Sequence, residues 1–314
     1  MNATTSARRS RPAVVANLVL LAVAAAWLIV SFLSLRVLVA GVVEASPAAI
    51  ATLITSLSGA IIGAVYAGTC AGHLARTSGP RFLSRLPRLV TGSAAGVIVG
   101  IATAALSFYT FGGTPSVATI VAGVAGISAI VGGCLAAPRN NDVVFAGMCA
   151  TVVVLAAMFG RGWFAEQIGN MMTPDSYLWI GVVFGVVLGM IVGLTALAVL
   201  RRRAPRTTLY GYLAAGAAPG ALWLVSEVAT RIAAGLFVAN DIEPDKFSGL
   251  GMDLSLAAQL NGSLATLFTG ATTAVLAFGI LMPSRRSKPA RPGSSKAGVP
   301  KQTKSRNGRP SNAK

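Results

Sequence analysis

Acidic side chains are scarce in this sequence. Nine Asp and Glu stand against 26 Lys and Arg in 314 residues, and charged residues of both signs make up only 11%. Soluble domains carry about 25% charged residues, so a chain with this little charge cannot cover a water-facing surface. Histidine occurs once, as His73, which excludes a His-rich metal centre. Cysteine occurs three times, as Cys70, Cys134 and Cys149, without metal-site spacing. A Walker-type phosphate loop is absent. No catalytic residue, cofactor or metal is therefore expected, and the chain is read as a protein that is not an enzyme.

What is abundant is apolar. Hydrophobic residues make up 54% of the chain, with a mean hydropathy of +0.71. About 20 apolar residues cross a bilayer as a helix, and a helix satisfies its own backbone in lipid. Runs of this kind fall near Ala13–Leu35, Pro47–Gly72, Leu89–Phe111, Pro115–Ala136, Val143–Gly160, Tyr177–Leu200, Leu209–Val238 and Leu254–Met282. They are long and continuous rather than alternating with period two, so a barrel is disfavoured. The expected fold class is all-α, a polytopic integral membrane bundle of eight transmembrane helices. It divides into a basic N-terminus (1–12), a transmembrane domain (13–283) and a tail (284–314).

Charge orients the bundle. With the N-terminus in the cytoplasm, all but four of the 26 basic residues fall on that side; the exceptions are Arg36, Arg161, Arg231 and Lys246. Of the nine acids only Asp142 does. This is the positive-inside pattern, and it places both termini in the cytoplasm. The cysteines then lie toward the cytoplasmic half, which argues against disulfides. The first span follows Arg8–Arg11 in the manner of a signal peptide. Its apolar run exceeds the usual 7–15 residues, so an uncleaved anchor is expected. The net charge of +17 is accounted for by this topology and by the tail, and no aromatic-interleaved basic patch points to nucleic acid. The tail, rich in Lys, Arg, Ser, Gly and Pro, is expected to be disordered. Its basic residues suit anionic lipid, although a purely topological role fits equally. The expected surroundings are the lipid bilayer of the cell membrane, with room for a membrane-protein partner; the oligomeric state is left open.

Small residues recur at steps of four. Gly59, Gly63, Ala67 and Ala71 mark the second span, and Gly181, Gly185, Gly189 and Gly193 the sixth. Such faces let helix backbones approach closely. Ala94-Ala95-Gly96 with Gly100 in the third span resembles Ala214-Ala215-Gly216 with Gly220 in the seventh. Together these suggest a parallel repeat of four helices and four.

The candidate site lies in the seventh and eighth spans. Glu227 and Arg231 are four residues apart, on one helix face. Charges within a membrane usually face the bundle or a cavity. A self-neutralising ion pair and a substrate- or proton-binding site both fit, and Arg231 could also reach the outer interface. Pro219, within Gly216–Gly220, predicts a kink or break. Gln259, Ser263, Thr266, Gly270 and Thr273 form a polar stripe, with Asn261 beside it. The expectation is an outward-facing polar pocket between these spans, lined by Glu227, Arg231, Gln259, Asn261 and Pro219. Its bland counterpart is interhelical hydrogen bonding. The outer segments add an acidic loop (Asp241, Glu243, Asp245, Asp253) and an interfacial helix over Gly162–Met172.

Glu227 and Arg231 are similar to the glutamate–arginine element of CAAX-type membrane proteases. That family also needs a second glutamate and downstream histidines, and no histidine follows here. Two functional classes remain: a transporter-like carrier of a small solute or lipid, and a non-catalytic membrane component of an envelope, secretion or division assembly.

Overall fold

The computed structural model describes residues 11–42, 47–78, 86–138, 140–168, 174–205, 207–240 and 246–281. Within these, the side chains at 11–13, 40–42, 47–50, 161–168, 174–177, 246–248 and 281 are not described. The described residues form eight helices: α1 (Arg11–Val42), α2 (Pro47–Ser78), α3 (Arg88–Phe111), α4 (Pro115–Leu135), α5 (Asn141–Ile168), α6 (Pro174–Arg203), α7 (Leu209–Val238) and α8 (Lys246–Leu281). All eight are long and apolar enough to cross a membrane. The chain is accordingly a multi-pass membrane protein. The basic N-terminus and the tail, with Asp241, Glu243 and Asp245, lie outside the described residues.

Most helices outrun the apolar stretches that announce them. A span marks what must sit in hydrocarbon, whereas a helix continues into the interface until a breaker stops it. Two expectations are corrected on this ground. Gly162–Ile168 is not a separate interfacial helix but the last turns of α5. Asp253 is not in a loop but an exposed residue inside α8. The bounds of α3, α4 and α7 agree with the expected spans to within a residue. Pro115 opens α4, its missing donor costing nothing at that position.

The outward faces carry large apolar side chains. Val19, Leu33 and Val37 on α1, Ile98 and Ile101 on α3, and Val183 and Ile191 on α6 are all exposed, as a lipid-facing surface requires. The degree of enclosure ranks the helices: 83% of the α2 span is buried inside the protein, against 22% of α1. Helix α2 packs against every other helix except α6. It can do so because its face is cut back to Gly, Ala, Ser and Thr over most of its length.

Glycine contacts set direction and register. A β-carbon at Gly181 would lie 2.7 Å from the Ala258 carbonyl oxygen, and one at Gly193 would lie 2.6 Å from that of Gly270. Gly185 meets Gly262 and Gly189 meets Thr266 and Thr269 between them, so α6 and α8 run parallel. Gly92, Gly96 and Gly100 meet Gly133, Ala129 and Gly126, an antiparallel register of α3 on α4. Gly68 and Gly72 meet Ala129 and Gly133, setting α2 parallel to α4. The small residues of α2 are thus shared: Gly63 faces Trp27 and Leu28 of α1, while Gly68 and Gly72 face α4. In each set of four helices one carbonyl of the fourth receives glycines from the second and third. Gly133 O receives Gly72 and Gly92; Gly270 O receives Gly193 and Gly216.

The described cysteines are all free, with Cys70 buried.

Candidate functional site

Helices α7 and α8 run antiparallel, held by Gly216 against Gly270, Gly220 against Leu267 and Gly262 against Trp223. This register brings Glu227 to the level of Ala258 and Gln259. The Pro219 segment is where α7 approaches α8 most closely, and α7 is helical throughout from Leu209 to Val238. The break expected at Pro219 does not occur. A proline removes one intrahelical donor and crowds the preceding turn. The glycine that follows it gives the space to seat α7 directly on the α8 backbone.

Glu227 is fully buried. The Trp223 indole Nε1–H, one turn earlier, donates to its Oε1 at 2.9 Å. Ser226 and Thr230 are also fully buried, and each hydroxyl donates to a carbonyl of its own helix, Trp223 O at 2.6 Å and Ser226 O at 2.8 Å. At the same level Ser58 of α2 donates to Gln259 Oε1 at 2.9 Å, and Gln259 Nε2 donates to Ser255 Oγ at 3.3 Å. The polar stripe of α8 faces inward as expected: Gln259, Ser263 and Thr266 are buried. Thr266 donates to the Gly185 carbonyl at 3.0 Å. The α2, α7 and α8 side chains therefore form a polar layer inside the bundle.

The five residues singled out from sequence separate into two groups. Glu227, Gln259 and Pro219 are buried, whereas Arg231 and Asn261 are exposed. Two residues escaped sequence reasoning. Trp223 stands four residues before Glu227, at the same spacing that drew notice to Arg231. Ser58 lies 201 residues from its partner Gln259, and no local pattern connects them.

Among the described residues, cavities lie elsewhere. One, of about 560 Å³, runs along α1 toward α5 and is lined by Trp27, Ser31, Ser34, Ser56, Met158 and Phe159 among others. Its Trp27 Nε1–H and Ser31 hydroxyl both donate to the Gly59 carbonyl, at 2.8 and 3.4 Å. Another, of about 190 Å³, lies between α4, α5 and α7 beside Thr69 of α2. No cluster of His, Cys, Asp or Glu able to hold a metal occurs among the described residues.

The Ser58–Gln259 bond links α2 to α8, and its worth is measurable. Interhelical hydrogen bonds within membranes average about 0.6 kcal/mol and reach about 1.7 kcal/mol. Gln259→Leu should lower stability by an amount in that range, because it leaves the buried Ser58 hydroxyl without its acceptor. Chemical denaturation in detergent micelles checks this, and an unchanged midpoint would assign the layer no role in holding α2 to α8.

Compared with protein-family models, with curated proteins and with solved structures, the chain matches none.

Proposed function

We propose that this protein is a carrier in the cell membrane, with both termini in the cytoplasm, and that the layer around Glu227 is where it takes hold of a proton or a small polar solute. The observation that carries the reading is Glu227 itself. Ionisable side chains inside a membrane are rare because they are expensive to place there, and they mark ion, proton and substrate routes. Trp223, Ser226 and Gln259 add donors and acceptors at the same depth. Glu227 is fully buried, so carriage requires α7 or α8 to shift along their glycine contacts. Arg231, exposed near the end of α7, belongs to the entrance rather than to the interior.

The two halves support the same reading. In each, the third helix packs antiparallel to the fourth, the second packs parallel to it, and both converge on one carbonyl. These matching glycine contacts support a parallel repeat of two four-helix units, an arrangement that transporters use to rock one part against another.

Proteoliposomes with an entrapped pH-sensitive dye test this. With counter-ion permeability supplied, the wild-type protein should dissipate an imposed pH gradient faster than protein-free vesicles. Glu227→Gln should fall to the protein-free rate, while Arg231→Gln keeps at least part of the activity. Wild-type protein no faster than empty vesicles would end the proton version. A Glu227→Gln variant as fast as wild type would remove Glu227 from it.

The groove along α1 favours a second reading, a non-catalytic component of an envelope, secretion or division assembly. The Trp27 indole and the Ser31 and Ser34 hydroxyls donate to backbone carbonyls, and the rest of the lining is largely apolar. A photocrosslinker at Ser34 in living cells decides it. A discrete protein adduct supports the assembly, and adducts to lipid alone count against it.

A further inference from the structure

One end of the bundle gathers cations. The last turns of α2 and α6 and the first residue of α3 bring together Arg76, Arg88, Arg201, Arg202 and Arg203. The described acid at this end is Asp142, half-buried on the first turn of α5, where its backbone N–H donates to Asn140 Oδ1 at 3.0 Å. Like charges gathered at one end repel one another, and a bound anion relieves that repulsion.

Two of these groups are held in place. The Arg76 guanidinium donates to the Ala136 carbonyl, to the Pro138 carbonyl at 3.2 Å and to Asn141 Oδ1 at 3.0 Å, which fixes it over the α4–α5 connection. The Arg203 guanidinium lies 3.5 Å from the centre of the Phe145 ring. The other neighbour of that ring is His73, at 6.4 Å between centroids. His73 is only 2% exposed, and its Nδ1 has no hydrogen-bond partner among the described residues. Arg76 and Arg203 are the charged groups that act on it electrostatically.

Beside this cluster lies the smaller cavity. Pro138, whose carbonyl anchors Arg76, is one of its walls; Leu135, Val143, Val144, Ala214 and Leu222 are others. A fixed cation thus stands at the rim of an apolar recess, in the boundary layer where lipid headgroups meet acyl chains. A charged rim over an apolar recess is complementary to an amphiphile with an anionic head.

We infer that this end of the bundle is a binding site for an anionic phospholipid. Its phosphate lies against Arg76 and Arg203, and the upper part of one acyl chain enters the recess between α4, α5 and α7. This site is built from the helices themselves and is separate from any contact made by the basic tail. It does not depend on the carrier reading.

The test uses the full-length protein, in which the tail is the same in every variant. Protein purified from mixed micelles of phosphatidylglycerol and phosphatidylcholine is examined by native mass spectrometry. Its thermal midpoint is then followed in nanodiscs of rising phosphatidylglycerol content. Wild-type protein should retain phosphatidylglycerol in preference to phosphatidylcholine. Arg203→Gln should weaken that retention about fivefold, the share of one basic residue near anionic lipid. Arg76 also anchors the α4–α5 connection, so the second variant is Ala214→Leu. Ala214 is exposed, so leucine is tolerated there while it narrows the recess. It should reduce phosphatidylglycerol retention with the arginines intact. Equal retention of both lipids overturns the proposal, as does an unchanged preference in both variants. Stabilisation by inorganic phosphate to the same extent overturns it too, since that would identify a site for the free anion.

Discussion

Gly185→Leu and Gly189→Leu should each prevent the chain from reaching a stable, monodisperse fold. A β-carbon at Gly185 would fall on the Gly262 backbone and lie 2.9 Å from the Ala265 β-carbon; one at Gly189 would lie 2.8 Å from the β-carbon of Thr269 and 3.0 Å from the Thr266 carbonyl oxygen. Backbone cannot rotate out of the way as a flexible side chain can, so α6 and α8 must separate. Separation also breaks the Thr266 bond to the Gly185 carbonyl. Overpacking a well-packed interior costs about 1–3 kcal/mol and occasionally more. The cost here should exceed the upper figure, because the same face carries four successive close approaches that one leucine pries apart together. Gly279→Leu is the control, since a β-carbon there meets nothing within 4 Å. Size-exclusion profiles and thermal midpoints in detergent compare the three. A Gly185→Leu protein that elutes and melts like Gly279→Leu would show that the α6–α8 contact does not hold the bundle.

Trp223→Ala should cost about 3–5 kcal/mol, the range for truncating a buried aromatic to alanine. Trp223 is fully buried and is the bulkiest fully buried side chain among the described residues. It fills the gap beside Gly262, where a β-carbon would lie 3.0 Å from the indole ring. Without the ring, that gap becomes a cavity at the α7–α8 contact, and Glu227 loses the donor that orients its carboxyl group. Trp223→Phe separates the two effects. Phenylalanine keeps most of the volume and lacks only the indole donor, so its stability loss should be about 1 kcal/mol, the usual net worth of one hydrogen bond. The infrared carboxyl bands assigned to Glu227 by comparison with Glu227→Gln should nevertheless move. Equal losses for Ala and Phe would mean that the hydrogen bond, not the packing, carries the contribution of Trp223.

The eight spans were legible in the sequence because hydrocarbon imposes a length and a composition on each crossing. The glycine ladder of α6 was legible as a packing face for the same reason: nothing else explains four glycines at steps of four in a lipid-facing helix. The ladder did not announce that α8 is what it packs against. In α2 the ladder was misleading in detail, since Gly59 and Gly63 turn to α1 while the contacts to α4 are made by Gly68 and Gly72, off the step-of-four row. The Glu227 environment was half legible. Helical spacing offers a neighbour one turn away on either side; sequence reasoning named Arg231 and missed Trp223, which donates to the carboxylate. In the fold the side toward Trp223 faces the bundle and Arg231 is exposed, because the close seat of Pro219 and Gly220 on α8 sets the rotation of α7.

The sequence by itself determined that this chain crosses a membrane, and where, and that small and polar residues would face inward. Only the tertiary structure decided which helix meets which face: the parallel α6–α8 contact, the Ser58–Gln259 link and the enclosure of Glu227. The physical reason is that lipid tails are as apolar as leucine, so hydrophobicity separates helices from water but does not select their partners. That selection rests on how closely two particular backbones can approach, a property of paired surfaces that no single helix records.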